Sequence, residues 1–286
     1  MPDDDETTVR SSVIAAATAA GYEVTELELL RVGNNYVFAD QDQANVYRVP
    51  IRPVEASLLR AENERMITLA AKGAPILAPR QGDPLHLEGG QLVTVWPLGE
   101  SPQSDPSESL APVLAQLHEV ATIEGLPVWA GFGRGSYRIG VARTSGVPTD
   151  MVDEVAGRLD ELEQTFPAWP KDILVHGDPH LGNLVRVGTQ YLLIDLDDLA
   201  IGCREVDLAP MYTAYHRLPN VAGSWEAFYG AYGHDVDLDL LQIFVQLRQL
   251  TMVAWLFTLW DHRPESRQEA IHRVATLDEP AQWNPL

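Results

Sequence analysis

A polar loop enclosed by two apolar runs is the feature that most constrains this chain. Residues 173–175 and 192–194 are apolar and strand-like, and the first run leads directly into the loop. The loop carries four polar side chains: His176, Asp178, His180 and Asn183. The second run ends in Asp195, which places a carboxylate at the tip of a buried strand. Because the turn at 188–190 predicts a hairpin, we expect Asp195 to fold back towards Asp178 and Asn183.

These three side chains are the oxygen donors that phosphoryl transfer requires. A carboxylate orients the attacking hydroxyl and accepts its proton, and hard oxygen ligands hold the Mg2+ that bridges the nucleotide phosphates. Asp178 suits the first role, and Asn183 with Asp195 suits the second. The interval of five residues between Asp178 and Asn183 also matches the catalytic-loop pattern H-R-D-x-x-x-x-N. The predicted chemistry is transfer of the γ-phosphoryl group of ATP or GTP.

Three blocks of sequence carry a resemblance to a known family. They are HGDPHLGN at 176–183, LIDLDD at 193–198 and GCREVDLA at 202–209. In order and spacing they resemble the aminoglycoside phosphotransferase family, which has a protein-kinase-like fold and includes antibiotic, choline and other small-molecule kinases. The resemblance implies an α+β fold of two lobes. A small antiparallel β N-terminal lobe with one main helix would precede a larger, mostly helical C-terminal lobe.

Carried over by position, the resemblance implies Asp178 as the catalytic base and Asn183 and Asp195 as the magnesium ligands. His176 would hold the loop, and Asp207 would be a buried structural carboxylate.

Three neighbouring side chains have open roles. His180 is interpreted as a loop-packing or acceptor-side residue, and Asp197 and Asp198 either face the magnesium or the acceptor or are surface acids. A zinc or iron site at His176 and His180 is the competing interpretation. It would leave Asn183 and Asp195 without a role, so phosphoryl transfer is favoured.

The family expects a strand lysine that contacts the nucleotide phosphates and pairs with a helix glutamate. This chain has Arg48 on the corresponding strand, and Arg is not a geometric copy of Lys. Glu62 is the predicted partner, with Glu64 as the alternative. The turn Gly33-Asn34-Asn35 would cover the phosphates through backbone amides. The segment Trp96-Pro97-Leu98 would be the hinge where the adenine meets the backbone.

Periodicity and chain breakers divide the sequence into an N-terminal nucleotide-binding lobe at 1–96, a hinge at 97–105 and a C-terminal catalytic and acceptor-binding lobe at 106–286. Strands are predicted at 24–30, 36–40, 45–50, 84–87 and 91–96. Helices are predicted at 55–72, 106–119, 150–165, 205–217, 223–232, 238–261 and 265–277.

Charge and composition narrow the partners. The 41 acidic against 20 basic residues give a formal net charge of −21, which repels nucleic acid and anionic membranes and favours a cationic acceptor slightly. The single cysteine, Cys203, excludes an internal disulfide. The alanine-rich start follows acids rather than basic residues, so it predicts neither a signal peptide nor an anchor. We expect a cytoplasmic monomer or homodimer.

The acceptor is left open by the sequence. An aminoglycoside-like or other antibiotic, as in resistance, is the first expectation, and a natural-product intermediate, a sugar or an amino alcohol is the alternative. A nucleotide-binding pseudokinase is a further alternative, because Arg48 stands where a lysine is expected.

Overall fold

The computed structural model of the chain describes residues 3–102, 105–166 and 168–285. Nine helices are described: α1 (Asp3–Ala19), α2 (Ala56–Ala71), α3 (Pro106–Glu119), α4 (Gly131–Ala142), α5 (Thr149–Thr165), α6 (Arg204–Arg217), α7 (Trp225–Tyr232), α8 (Leu238–Thr258) and α9 (Pro264–Ala275). Nine strands are described: β1 (Glu28–Val32), β2 (Asn35–Asp40), β3 (Asn45–Pro50), β4 (Leu85–His86), β5 (Leu92–Pro97), β6 (Ile173–Val175), β7 (Leu184–Val187), β8 (Gln190–Leu193) and β9 (Ala200–Gly202).

The chain forms two compact units. The first contains the residues up to Pro102 and the segment Leu184–Ile194, and the second contains the described residues of 103–183 and 195–286. The transition after Pro102 falls inside the segment 97–105 that the sequence marks as a hinge. The inclusion of 184–194 in the first unit departs from the prediction, which assigned all of 106–286 to the second lobe.

The first unit is built on an antiparallel sheet with the strand order β1-β2-β3-β5-β4. Along β3, buried side chains alternate with half-buried ones, which is the period of a strand with one face on the core. Tyr47 and Val49 are the buried hydrophobic residues of this strand. Helix α1, which the sequence analysis did not predict, packs Val9 and Val13 into the same hydrophobic core.

The hairpin of β7 and β8 joins the first unit through backbone hydrogen bonds. Leu193 N donates to Pro75 O at 2.9 Å, and Leu77 N donates to Leu193 O at 2.8 Å. Arg186 and Glu100 exchange a pair of backbone hydrogen bonds at 2.8 and 2.9 Å. These bonds explain why a hairpin from the middle of the chain belongs to the first unit, whereas the residues that flank it belong to the second.

The second unit is mostly helical and is organised around α8. This helix packs against α4, α5, α6 and α9. It is long and apolar enough to cross a membrane by length and composition, but 61% of its most apolar stretch is buried within the protein. A short antiparallel ladder joins β6 to β9, and this ladder leads into the polar loop.

Helix α4 forms although its sequence has four glycines, a composition that disfavours helices. Gly135 explains part of this, because a Cβ there would lie 3.3 Å from Leu159 Cδ1 and 3.4 Å from Thr251 Cγ2. The glycine lets α4 approach α5 and α8 closely. Tertiary packing therefore overrides the local preference in a segment where the sequence predicted no helix.

Candidate active site

The polar loop after β6 is held in shape by its own polar atoms. His176 is fully buried, and its Nδ1 accepts a hydrogen bond from Asp178 N at 3.3 Å. Asn183 Nδ2 donates to Asp178 O at 3.1 Å, and Asn183 N donates to His180 O at 2.8 Å. Gly177 has φ of +90°, a value that suits glycine. The loop thus brings Asp178 and Asn183 together as the sequence predicted.

Asp207 on α6 fastens the start of the loop to the helical core. Its carboxylate is fully buried and accepts hydrogen bonds from His176 N at 2.8 Å and Gly177 N at 2.7 Å. His118 Nε2 lies 3.0 Å from the same carboxylate, and His118 Nδ1 lies 2.7 Å from the hydroxyl of Tyr232. With Nε2–H donating to Asp207, Nδ1 accepts from Tyr232. This series of hydrogen bonds therefore connects the loop to α3, α6 and α7.

Two arginines stabilise the negative charge of Asp178. Arg248 Nη2 lies 2.8 Å from Asp178 Oδ1, and Arg134 Nη1 lies 3.7 Å from Asp178 Oδ2. Burial by itself would raise the pKa of Asp178, but Arg248, His180 and Arg134 together hold this pKa below its ordinary value. Arg134 also forms an ion pair with Asp198. Asp178 is consequently an ionised acceptor that can receive a hydrogen bond from a hydroxyl.

Asn183 and Asp195 fit a magnesium ion by their chemistry. Asn183 is only 7% exposed and uses its amide nitrogen inside the loop, so its Oδ1 remains as a ligand atom. Asp195 directly follows the hairpin with a left-handed backbone, φ of 63°, a conformation that aspartate tolerates better than most residues. Amide and carboxylate oxygens are the hard ligands that Mg2+ takes in proteins. These two residues would hold the ion.

The histidines do not form a transition-metal site. His180 Nδ1 accepts a hydrogen bond from Gly182 N at 3.0 Å, and burial lowers the pKa of His180. Among the residues that the structure describes, no group of three or more His, Cys, Asp or Glu side chains is placed to hold a metal ion. The zinc or iron interpretation therefore has no geometric support. His180 is a half-buried residue that packs within the loop.

A cavity of about 210 Å3 opens beside the loop within the second unit. Gly177, Asp197 and Asp198 contribute to its lining. Other segments contribute further lining residues, among them Trp129, Arg134, Phe244, Leu247 and Arg248. The rings of Trp129 and Phe244 meet edge to face, with centroids 5.5 Å apart. Both Asp197 and Asp198 thus lie at the cavity, and Asp198 is the one that forms the ion pair with Arg134.

These lining residues from other segments were not predicted from the sequence. The arginines come from α4 and α8, which are far from the loop along the chain, and no local spacing relates them to Asp178. The one signal available was the pair Arg134 and Arg138 in a segment without acidic residues, because residues four apart share one face of a helix. That signal has meaning only if the segment is helical, and its glycines argued against a helix.

The first unit holds the residues predicted for the nucleotide. Arg48 on β3 stacks on Trp96, with its guanidinium carbon 5.3 Å from the ring centroid. Glu62, the predicted partner of Arg48, is exposed on α2. Asn34 and Asn35 lie at the turn between β1 and β2, where Asn34 O accepts from Ile51 N at 3.0 Å and Asn35 O accepts from Gly33 N at 3.1 Å. The turn is thus closed by its own backbone.

One backbone amide of the predicted hinge is already hydrogen-bonded within the protein. Leu98 N donates to Ala44 O at 2.9 Å, so this amide is engaged within the first unit and is not free for an adenine. Trp96 is buried, and its Nε1 donates to Thr94 Oγ1 at 2.7 Å. Gly99 comes next, and a Cβ there would lie 2.7 Å from Val185 Cβ. Only glycine fits at this point, where the backbone passes close to β7.

Comparison with known proteins shows the family and the fold of the chain. Residues 29–244 match the sequence profile of the phosphotransferase enzyme family (APH). No curated protein matches the sequence at a significant level.

Solved structures of the same fold cover nearly the whole chain. An amicoumacin kinase, hAmiN, in complex with AMP-PNP, Ca2+ and Ami is 17% identical and has a TM-score of 0.70, covering 96% of this chain and 95% of its own. A choline/ethanolamine kinase family protein from Mesorhizobium loti is 19% identical with a TM-score of 0.64, covering 97% and 94%. The GDP and kanamycin complex of APH(2")-IIia is 17% identical with a TM-score of 0.63, covering 94% and 97%. The α+β fold class predicted from the sequence is confirmed.

Proposed function

Because the chain belongs to the phosphotransferase enzyme family, a family of small-molecule kinases that act on hydroxyl groups, we propose that Asp178 is its catalytic base and that ATP or GTP is its phosphoryl donor. The observation that carries the proposal is the state of Asp178. Two arginines keep this carboxylate ionised, and it lies on a loop that also lines a cavity of small-molecule size. Asp178 does not itself line this cavity, but Arg134 and Arg248, which pair with it, do. A hydroxyl bound there would therefore lie near a carboxylate ready to accept its proton.

In the proposed reaction Asp178 orients the acceptor hydroxyl and receives its proton as the oxygen attacks the γ-phosphorus. The bond from the γ-phosphorus to the bridging oxygen breaks, and the nucleoside diphosphate leaves. Positioning supplies much of the rate in such transfers, because a held reactant avoids the loss of freedom that a free encounter costs. The hydrogen bonds from His176 N and Gly177 N to Asp207 serve this purpose, since they fix the backbone that carries Asp178.

Mg2+ is proposed as the metal, held by Asn183 and Asp195. When bound, the ion supplies positive charge to the phosphate oxygens of the donor. The complex of hAmiN with AMP-PNP, Ca2+ and Ami supports the proposal, because it contains a divalent ion and a nucleotide analogue together.

For the nucleotide, Arg48 is proposed to contact the phosphates, with Glu62 as its predicted partner on α2. A guanidinium group donates two hydrogen bonds to a phosphate at once, so an arginine can bind the phosphates although its geometry differs from that of lysine. Because the amide of Leu98 is already hydrogen-bonded to Ala44, we propose the amide of Gly99 as the hinge donor instead. The N–H of Gly99 makes no hydrogen bond with the backbone of the described residues. Asn34 and Asn35 keep their proposed place over the phosphates.

An antibiotic acceptor remains a proposal that rests on the family. The similar structures are an amicoumacin kinase, a choline/ethanolamine kinase family protein and a kanamycin complex, and these compounds differ widely in chemistry. Mass spectrometry for phosphorylated products across antibiotics, sugars and amino alcohols separates resistance from metabolism.

Replacement Asp178→Asn tests the catalytic assignment. We expect the turnover in a coupled assay for ADP release to fall by about 100-fold or more, because general-base contributions are about 10²–10⁴. Nucleotide affinity, measured by calorimetry, is expected to stay within about threefold, a change of less than 1 kcal/mol. Asp172→Asn is the matched control, since Asp172 is exposed and lies just before β6. Unchanged turnover in Asp178→Asn would refute the assignment.

A further inference from the structure

Three arginines converge beside the cavity in a chain whose basic residues are few. Arg134 and Arg138 lie one turn apart on α4, and Arg248 lies on α8, which packs against α4. Arg134 and Arg248 line the cavity directly. Arg138 Nη1 donates to Thr251 O at 2.9 Å, and Thr251 is another lining residue. One wall of the cavity therefore carries concentrated positive charge.

Three carboxylates lie near these three guanidinium groups. The ion pairs of Arg134 and Arg248 involve Asp178 and Asp198. Helix α4 contains no acidic residue, and α8 contains only Asp239, in its first turn. Asp197 lines the cavity but is exposed. When Asp178 accepts the proton of the acceptor, Arg134 and Arg248 lose the negative charge of one partner, which an oxyanion on the acceptor can replace.

The state of Arg138 shows how crowded these cations are. Burial, followed by the charges of Arg134 and Arg248, lowers the pKa of Arg138 to about 10, and Asp178 offsets this only in part. The pKa of Arg138 is therefore lowered first by burial and second by the neighbouring positive charges. An anion bound here would relieve the repulsion among the three side chains.

We propose that the acceptor carries an oxyanion, either a carboxylate or a phosphate, which the arginines of α4 and α8 bind next to the reacting hydroxyl. This inference rests on the phosphotransferase function proposed above and names the class of its acceptor. Guanidinium groups recognise carboxylate and phosphate through paired hydrogen bonds. Trp129 and Phe244 form an apolar wall for the carbon part of the molecule, and a volume of about 210 Å3 suits a small acceptor. The net negative charge of the chain suggested a cation, but on this lining two arginines stand against two aspartates.

Binding without nucleotide tests the inference independently of turnover. The probes are matched compounds: glycerate, glycerol and serinol form one set, and ribose 5-phosphate and ribose form another, with kanamycin as a larger cation. We expect glycerate or ribose 5-phosphate to bind at least about 10-fold more tightly than its neutral counterpart in calorimetry, the strength of a hydrogen bond to a charged group. The two sets separate carboxylate from phosphate. Equal or tighter binding of the neutral and cationic compounds would overturn the inference.

Variants locate the site. Arg134→Gln and Arg138→Gln are each expected to weaken the binding of the preferred anion by about 10- to 100-fold. Arg138→Lys keeps the charge and should retain most of the affinity. Arg143→Gln is the matched control, because Arg143 follows α4, is exposed and pairs with Asp153. If Arg143→Gln weakens binding as much as the other two, or if those two leave it unchanged, the inference fails. Tryptophan fluorescence checks folding, and the wild-type comparison stands even if a variant does not fold.

ADP release distinguishes this inference from the function on which it rests. Release stimulated only by a neutral or cationic compound keeps the phosphotransferase function and overturns the anionic acceptor. Binding of an oxyanion that depends on Arg134 and Arg138, without ADP release by any compound, supports the anion site and counts against the proposed reaction. Release stimulated by glycerate or ribose 5-phosphate supports both.

Discussion

Replacing Asp207 by asparagine is expected to destabilise the second unit although the side chain keeps its shape. The wild-type carboxylate faces three donors: the backbone amides of His176 and Gly177 and the imidazole of His118. An asparagine has one acceptor oxygen and one NH2 group, so at least one buried donor must face another donor. His118 can change tautomer, but the backbone amides cannot.

The magnitude follows from these contacts. Hydrogen bonds to charged groups contribute about 1.5–3 kcal/mol each, and a buried donor left unsatisfied costs about 1–3 kcal/mol. With one donor unsatisfied and the charge removed from the others, we expect Asp207→Asn to lower the free energy of unfolding by about 2–4 kcal/mol. Because His176 and Gly177 begin the loop that carries Asp178, turnover should fall as well, with a smaller change in nucleotide affinity.

Tryptophan fluorescence during urea unfolding measures this effect. Six of the seven tryptophans lie in the second unit, the exception being Trp96, so the signal reports mainly on the part that Asp207 holds together. Tyr232→Phe removes only the hydroxyl at the far side of His118 and should cost about 1 kcal/mol. Asp172→Asn, at an exposed position, should stay within about 0.5 kcal/mol of the wild type. If Asp207→Asn also leaves the free energy of unfolding within about 0.5 kcal/mol of the wild type, the hydrogen bonds of Asp207 do not stabilise the loop.

Two further predictions concern packing in the second unit. Gly135→Val should destabilise it by about 1–3 kcal/mol, because the added atoms must separate α4 from α5 and α8, whereas Gly140→Ala meets no atom within 4 Å and should stabilise the same helix by up to about 1 kcal/mol. Urea unfolding of both variants measures the difference, and equal effects would contradict the close approach at Gly135. Cys203 is buried, and burial followed by the nearby Glu205 raises the pKa of its thiol, so iodoacetamide at pH 8 should label it only after unfolding. Rapid labelling of the native protein, detected by mass spectrometry, would contradict this.

The sequence predicted best those elements whose pattern is local. The alternation in β3 and the breakers around α2 placed both elements within a residue or two of their observed bounds. Helix α4 escaped prediction because its glycines are required by contacts with distant helices, and α1 escaped because it begins with acids and has little apolar contrast between its faces. Propensity cannot register a requirement that only the folded neighbours impose.

The same difference between local and distant contacts applies to the residues of the site. Asp178 and Asn183 are brought together by a loop of a few residues, and spacing alone pointed to them. The cations that keep Asp178 ionised come from α4 and α8, where nothing in the sequence marks Arg134 or Arg248 as partners of the loop.

The polar loop and the cavity wall formed by α4 and α8 consequently depend on different side chains. Asp207, His118 and Tyr232 hold the loop from behind, and none of them lines the cavity. Residues of α4 and α8 form the wall, and they touch the loop through the charges on Asp178 and Asp198. A change of wall side chain that preserves those charges can alter the acceptor while the fastened loop keeps its shape. A change that removes Arg248 acts on both, because this side chain belongs to the cavity and also sets the ionisation of Asp178.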